Sequence, residues 1–187
     1  MDTPNLGSVI AFATNAHGAQ NRKFRRNDVW LPYITHPLEV MKMVWTWGMG
    51  NEFTMSAAVL HDTVEECRVT YYDLLALAGE SVARIVMELS LEKGESKDEY
   101  LASFKNPSHT TAEALVIKVA DRICNVRDYL RDQPAYARKY MVKAAVLGEA
   151  ITLRNEELVR TWNSEAAWAL NQEWNDTLRG VHNAHRS

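Results

Sequence analysis

The sequence predicts an all-α fold, a single compact helical bundle. Three observations carry that prediction. Apolar residues recur at steps of three and four through most of the 187 residues, 47% of which are hydrophobic. No segment shows the strict alternation of a half-buried strand. Eight Gly and five Pro leave no flexible linker, and no internal repeat or low-complexity run divides the chain. The expectation is one domain over residues 1–187, with a motif-bearing core at about 5–131 and further helices at about 134–180.

The elements follow in order. Leu6, Val9, Ile10, Ala13 and Ala16 give a first helix. The stretch GAQNRKFRRNDVWLPYIT lacks a clean period and reads as a long loop. A second helix starts at HPLEV, where Pro37 fits the first turn, and ends near Gly48 and Gly50. A third covers about Glu52 to Glu66. Thr70 and Asp73 have the spacing of a capping box, so a fourth helix runs from there to Gly79. Ser81 to Glu92 is a fifth, with Val82, Ile85, Val86 and Leu89 on one face. Ser96 to Phe104 is a short helix that Asn106-Pro107 ends. Thr110 to Asp132 is a long helix carrying Leu115, Val119, Arg122, Ile123 and Val126 at helical steps. Pro134 marks a boundary, and the remainder to Gly180 reads as one or two helices.

Composition excludes several functions. A net charge of -3 gives no basic field for nucleic acid. Cys67 and Cys124 are too few for a disulfide framework and lack zinc-knuckle spacing; they read as small buried hydrophobes in a reducing compartment. MDTPNLGSVIAFA has no basic leader region, and no apolar run approaches the ~18 residues that span a bilayer. The expected location is the cytoplasm, with no membrane partner.

The chemistry concentrates in AAVLHDTVEEC. His61, Asp62, Glu65 and Glu66 follow a run of small apolar residues. Steps of three and four place them on overlapping helix faces, where three carboxylates repel unless a cation or protons intervene. His36 stands at the entry to the second helix. Asp121 interrupts the apolar stretch KVADRICNV, with Asn125 one turn later. Together His36, His61, Asp62 and Asp121 would make a two-nitrogen, two-oxygen set suited to Mn²⁺, Fe²⁺ or Zn²⁺, with positions left for water and substrate. The competing reading makes the histidines caps or surface residues and pairs Asp121 with Arg122 or Arg127; spacing alone leaves both open. His17 with Gln20 reads as a hydrogen-bonded helix end. Arg22, Lys23, Arg25 and Arg26 read on composition as a solvated basic loop. The tryptophans at 45, 47, 162, 168 and 174 read as packing or a partner surface.

HPLEV, AAVLHDTVEE and KVADRICNVRD, in this order, resemble the HD superfamily of metal-dependent phosphohydrolases. With AHGAQNRK, PYITHPLEV and LEKGESKDEYL, the match is similar more narrowly to the hydrolase domain of RelA/SpoT-type alarmone enzymes, the small stand-alone hydrolases among them. It covers about Ala13 to Leu130. The resemblance implies one Mn²⁺ (Fe²⁺ or Zn²⁺ in its place) on His36, His61, Asp62 and Asp121. It implies removal of the 3′-pyrophosphate of guanosine tetra- or pentaphosphate. The family's acidic pair falls on Glu65 and Glu66, and its Asn on Asn125. Its substrate-binding groups fall on Arg22, packing on the base, Lys23, Lys97 and Tyr140. The implied protein is a stand-alone degrading enzyme, monomer or homodimer, whose partner is the alarmone. Two departures bear on substrate choice. The family usually has Glu-Asp where this chain has Glu65-Glu66. The loop FRRNDVWL, with Arg25, Arg26 and Trp30, is longer and bulkier than the usual turn. Alternatives are a related HD nucleotidase, a phosphatase acting on the 2′-phosphate of NADPH, and a nucleotide sensor without turnover.

Overall fold

The computed structural model describes residues 3–26 and 29–184, the side chains of residues 24–26 excepted. Its elements bear out the all-α expectation: the described residues form helices and a single two-stranded ribbon. The chain gathers into two compact units, Met1–Glu92 and Lys93–Ser187.

The first unit opens with α1 (Leu6–His17), whose first turn is capped by Asn5 accepting from the Ser8 N–H. A hairpin of β1 (Asn21–Arg26) and β2 (Val29–Pro32) follows, where the sequence predicts a loop. Arg25 pairs with Trp30 and Arg26 with Val29, antiparallel. The ribbon escapes a pattern-based reading because neither Val29 nor Trp30 is buried, at 58% and 48% exposed. Backbone pairing makes these strands, and Arg22, a buried residue of β1, is charged, so apolar alternation does not reveal them. The Arg25 and Arg26 side chains lie outside the described residues.

Next come α2 (Thr35–Thr46), α3 (Glu52–Leu60), α4 (Thr63–Cys67) and α5 (Tyr71–Glu88). The predicted third helix divides into α3 and α4, because the chain leaves helical bonding at His61 and Asp62. Ala57, Ala58, Val59 and Leu60 are all buried, so α3 is apolar around its circumference and packs against α1, α2 and α5. The predicted fourth and fifth helices are both present within α5, and the chain leaves helical geometry between them at Gly79. Gly79, at φ 81 and ψ 171, makes the bend. An added Cβ there would meet nothing within 4 Å, so conformation rather than space requires glycine. The Thr70–Asp73 capping box is present.

The second unit holds α6 (Lys97–Ser103), α7 (Ala112–Asp132), α8 (Pro134–Lys143), α9 (Ala145–Leu153), α10 (Asn155–Thr161) and α11 (Ser164–Asn183). The long helix α7 is its axis and packs against α8, α9, α10 and α11. Where one or two helices are predicted after Pro134, there are four. The break at Arg154 follows no Gly or Pro. It is set by the buried Arg154 guanidinium, which donates to Phe104 O, Thr110 O, Thr110 Oγ1 and Glu157. Gly148 admits the Trp174 indole so closely that a Cβ would lie 2.7 Å from Nε1. Trp47 and Trp174 are core residues, whereas Trp45 and Trp168 are exposed. Among the described residues, no helix is long and apolar enough to cross a membrane.

Candidate metal centre

His61 closes α3 and Asp62 precedes α4. His61 Nδ1 lies 2.8 Å from the Ala58 carbonyl oxygen. A carbonyl only accepts, so Nδ1 carries the hydrogen and Nε2 faces the other way. Nε2 lies 3.1 Å from Asp62 Oδ2. From the start of α2, His36 Nε2 comes within 3.6 Å of the same oxygen. Ligand atoms of His36, His61 and Asp62 all fall within 4.8 Å of one another, and both imidazoles are buried.

Asp62 occupies an N-cap position, where a carboxylate ordinarily accepts from the first turn. It makes no such bond. It accepts from the Tyr33 hydroxyl at 2.6 Å and faces the two histidines. The side chain has been turned from the helix end toward the cluster.

This donor set fits a divalent cation. Two imidazole nitrogens and a carboxylate oxygen form a mixed N/O set of the kind first-row divalent ions take. The outer N–H of His61 is tied to a backbone carbonyl, as a ligating imidazole requires. A buried cluster of this kind is costly unless positive charge stands among its atoms.

Glu65 and Glu66 follow in the first turn of α4, both exposed. Glu65 Oε1 accepts the Leu91 N–H at 2.6 Å. The Glu66 carbonyl accepts from Gln20 Nε2 at 3.2 Å. Gln20 Oε1 lies 2.9 Å from His17 Nδ1, so His17 is the hydrogen-bonded helix end the sequence suggests. Cys67 Sγ lies 3.2 Å from the same nitrogen. Burial pushes the Cys67 thiol pKa up, and Glu66 and Asp62 push it further.

Arg22 is buried and its Nη1 reaches Glu39 Oε2 at 2.7 Å, so it is no part of a solvated loop. Lys23 and Lys97 are exposed. In the second unit, Asp121 is buried on α7, with Lys118 Nζ 3.3 Å from Oδ2 and Asn125 donating to Oδ1. Arg127 pairs with Glu173, and Arg122 lies over the Tyr140 ring. Burial first, then Asp121, raises the Tyr140 hydroxyl above the usual tyrosine pKa.

The first unit thus assembles His36, His61 and Asp62 from two separate helical entries. The second sets Asp121 and Asn125 side by side. Sequence reasoning misses Tyr33 and Lys118. Each stands three positions from a residue it singled out, Tyr33 before His36 and Lys118 before Asp121. That i,i+3 spacing is the available signal.

Residues 10–145 match the HD domain family. The chain is 32% identical over 134 residues to guanosine-3′,5′-bis(diphosphate) 3′-pyrophosphohydrolase MESH1 of Danio rerio, covering 71% of this chain and 73% of that protein. It is 36% identical over 120 residues to the guanosine-3′,5′-bis(diphosphate) 3′-pyrophosphohydrolase of Aquifex aeolicus, covering 62% of this chain and 16% of that protein. A solved structure, described as a metazoan ortholog of SpoT that hydrolyzes ppGpp and plays a role in starvation responses, matches with a TM-score of 0.72. Its identity is 23%, over 96% of this chain and 97% of that one, a likeness of fold.

Proposed function

The chain belongs to the HD domain family, and from that premise we propose that it removes the 3′-pyrophosphate of guanosine tetra- or pentaphosphate, giving GDP or GTP. The observation that carries this reading is the convergence of His36, His61 and Asp62. The activity for which the relatives are named supports the substrate. The reaction adds water across the bond between the 3′-oxygen and phosphorus. The water oxygen goes to phosphorus, and a proton goes to the departing 3′-oxygen.

His36, His61 and Asp62 would hold the divalent ion, proposed to be Mn²⁺, with Fe²⁺ or Zn²⁺ served by the same donors. The family resemblance assigns a fourth ligand to Asp121. When bound, such an ion polarises a phosphoryl oxygen and lowers the pKa of a water. Glu65 is the general base; the Leu91 N–H holds one carboxylate oxygen and leaves the other to take the proton. Glu66 orients Glu65 or the leaving group. Asn125 cannot titrate and positions water or phosphate by hydrogen bonds. Lys23 and Lys97 neutralise phosphate charge. Arg22, its guanidinium fixed by Glu39, offers a planar cation to a purine, and Tyr140 offers a ring. On this reading residues 1–187 act as one hydrolase domain on the cytoplasmic nucleotide pool, as monomer or homodimer, without nucleic acid or membrane.

The test is a panel assay of the full chain with Mn²⁺, offering ppGpp, NADPH and common nucleotides. Release of pyrophosphate and GDP from ppGpp is expected. Orthophosphate from another nucleotide with none of that release would overturn the substrate. Tight nucleotide binding with no product over hours would overturn the enzyme in favour of a sensor.

A further inference from the structure

Arg122 is a buried charge set against an aromatic ring. It lies on α7, 8% exposed, and its Nε is buried with no hydrogen-bond partner among the described residues. Its guanidinium carbon is 3.9 Å from the centre of the Tyr140 ring. The contrast within the same unit is Arg154, which is 3% exposed. Its donors meet Phe104 O, Thr110 and Glu157, a full set of acceptors. Arg154 is therefore a structural arginine, saturated by its own chain.

A ring face offsets part of the cost of desolvating a guanidinium. It supplies no lone pair in the guanidinium plane, where the donors point. The adjacent carboxylate does not fill that role, since Asp121 is met by Lys118 and Asn125. One turn before Arg122, Lys118, which also meets Asp121, stands beside a ring as well. Its side chain is 11% exposed, and its Nζ lies 5.1 Å from the Tyr100 ring centre. Helix α7 thus carries two sequestered cations at i and i+4, each against an aromatic ring.

We propose that Arg122, with Tyr140 as its platform and Lys118 one turn away, forms a subsite for a phosphate-type anion, here the pyrophosphate group. A planar fork of N–H donors matches phosphoryl oxygens two at a time, and low local dielectric strengthens each bond. This deepens the proposed function and takes from it only the identity of the anion.

The experiment is calorimetric titration of the full chain with inorganic pyrophosphate, metal-replete and after chelation. Wild type, Arg122→Met, Arg122→Lys and the surface control Arg179→Met are compared, together with the melting temperature of each without ligand. Arg122→Met should weaken pyrophosphate binding by about 10- to 100-fold, the worth of hydrogen bonds to a charged group. Arg122→Lys should retain part of the affinity, and Arg179→Met all of it. Without ligand, Arg122→Met should melt at or above the wild-type temperature, because it removes a buried guanidinium whose Nε has no hydrogen-bond partner among the described residues. A lowered melting temperature with unchanged affinity would make Arg122 a structural cation and overturn the proposal. So would wild type that binds no pyrophosphate in either metal state. Absence of ppGpp turnover would sink the alarmone reading and leave this comparison standing.

Discussion

Asp62 and Asp121 are both carboxylates set among apolar helical neighbours, and the two units treat them differently. Asp62 is met by a phenol and by the ring nitrogens of His61 and His36. Asp121 is met by an ammonium and a carboxamide. The first arrangement gathers atoms that ligate metals. The second supplies its own cation, so Asp121 would have to exchange Lys118 for an ion before serving as a ligand. The difference teaches that a carboxylate's burial does not fix its role; what the chain sets against it does.

The largest expected effect breaks the comparison at its strong end. Asp62→Ala should leave the protein without retained metal and with turnover at background, its helical circular dichroism unchanged. Asp121→Ala should weaken metal binding yet leave it measurable, because three ligand atoms remain within 4.8 Å in the first unit. Elemental analysis after dialysis reads both. Equal losses would show that the two aspartates contribute alike, and the contrast drawn from their neighbours would be wrong.

Glu65→Gln separates proton transfer from ligation. Its amide oxygen still accepts the Leu91 N–H but takes no proton. Metal content should stay at the wild-type level while kcat falls by about 10² to 10⁴, the usual contribution of a positioned base. Wild-type turnover in this variant would remove Glu65 from the mechanism.

Much of this was legible in the sequence, and the rest failed for stated reasons. Thr70 with Asp73, and Ser96, announce helix starts because caps are local chemistry. Gly79 marks its bend because only glycine suits that backbone. His61-Asp62 stands out because polar groups interrupt Ala57 to Leu60. The hairpin is hidden because Val29 and Trp30 are exposed and a buried residue of β1 is the charged Arg22, so no apolar alternation marks it. The break at Arg154 depends on Thr110, 44 positions away, and the Tyr33–Asp62 bond spans 29. Such pairings are products of tertiary packing, and no periodicity reports them. The partnership of Arg22 with Glu39 escapes for the same reason, so composition suggests a solvated loop where the fold pairs a buried Arg22 with a half-buried Glu39.

A smaller effect is expected at Tyr33, whose hydroxyl holds the Asp62 carboxylate from outside the ligand set. Tyr33→Phe should keep the fold and raise the Kd for Mn²⁺ by about 10- to 100-fold, as losses of outer-sphere hydrogen bonds do. Competition with a chelating dye measures it without any turnover. An unchanged Kd would mean that packing alone orients Asp62, and the phenol would leave the list of features that set it apart from Asp121.

The smallest effect concerns the capping boxes, one in each unit. Asp73 accepts from the Thr70 N–H and hydroxyl at the start of α5, and Glu99 accepts likewise from Ser96 at the start of α6. The side-chain bond first, and the backbone bond second, hold both carboxyl groups below their ordinary pKa. A folded-state pKa below the unfolded one gives stability that is present above the unfolded value. That stability is lost as pH falls through the folded value. Asp73→Ala and Glu99→Ala should therefore melt slightly below wild type at pH 7, and the gap should narrow below about pH 4 as the wild-type carboxyls protonate. A gap that persists in acid would assign the loss to packing instead of the cap.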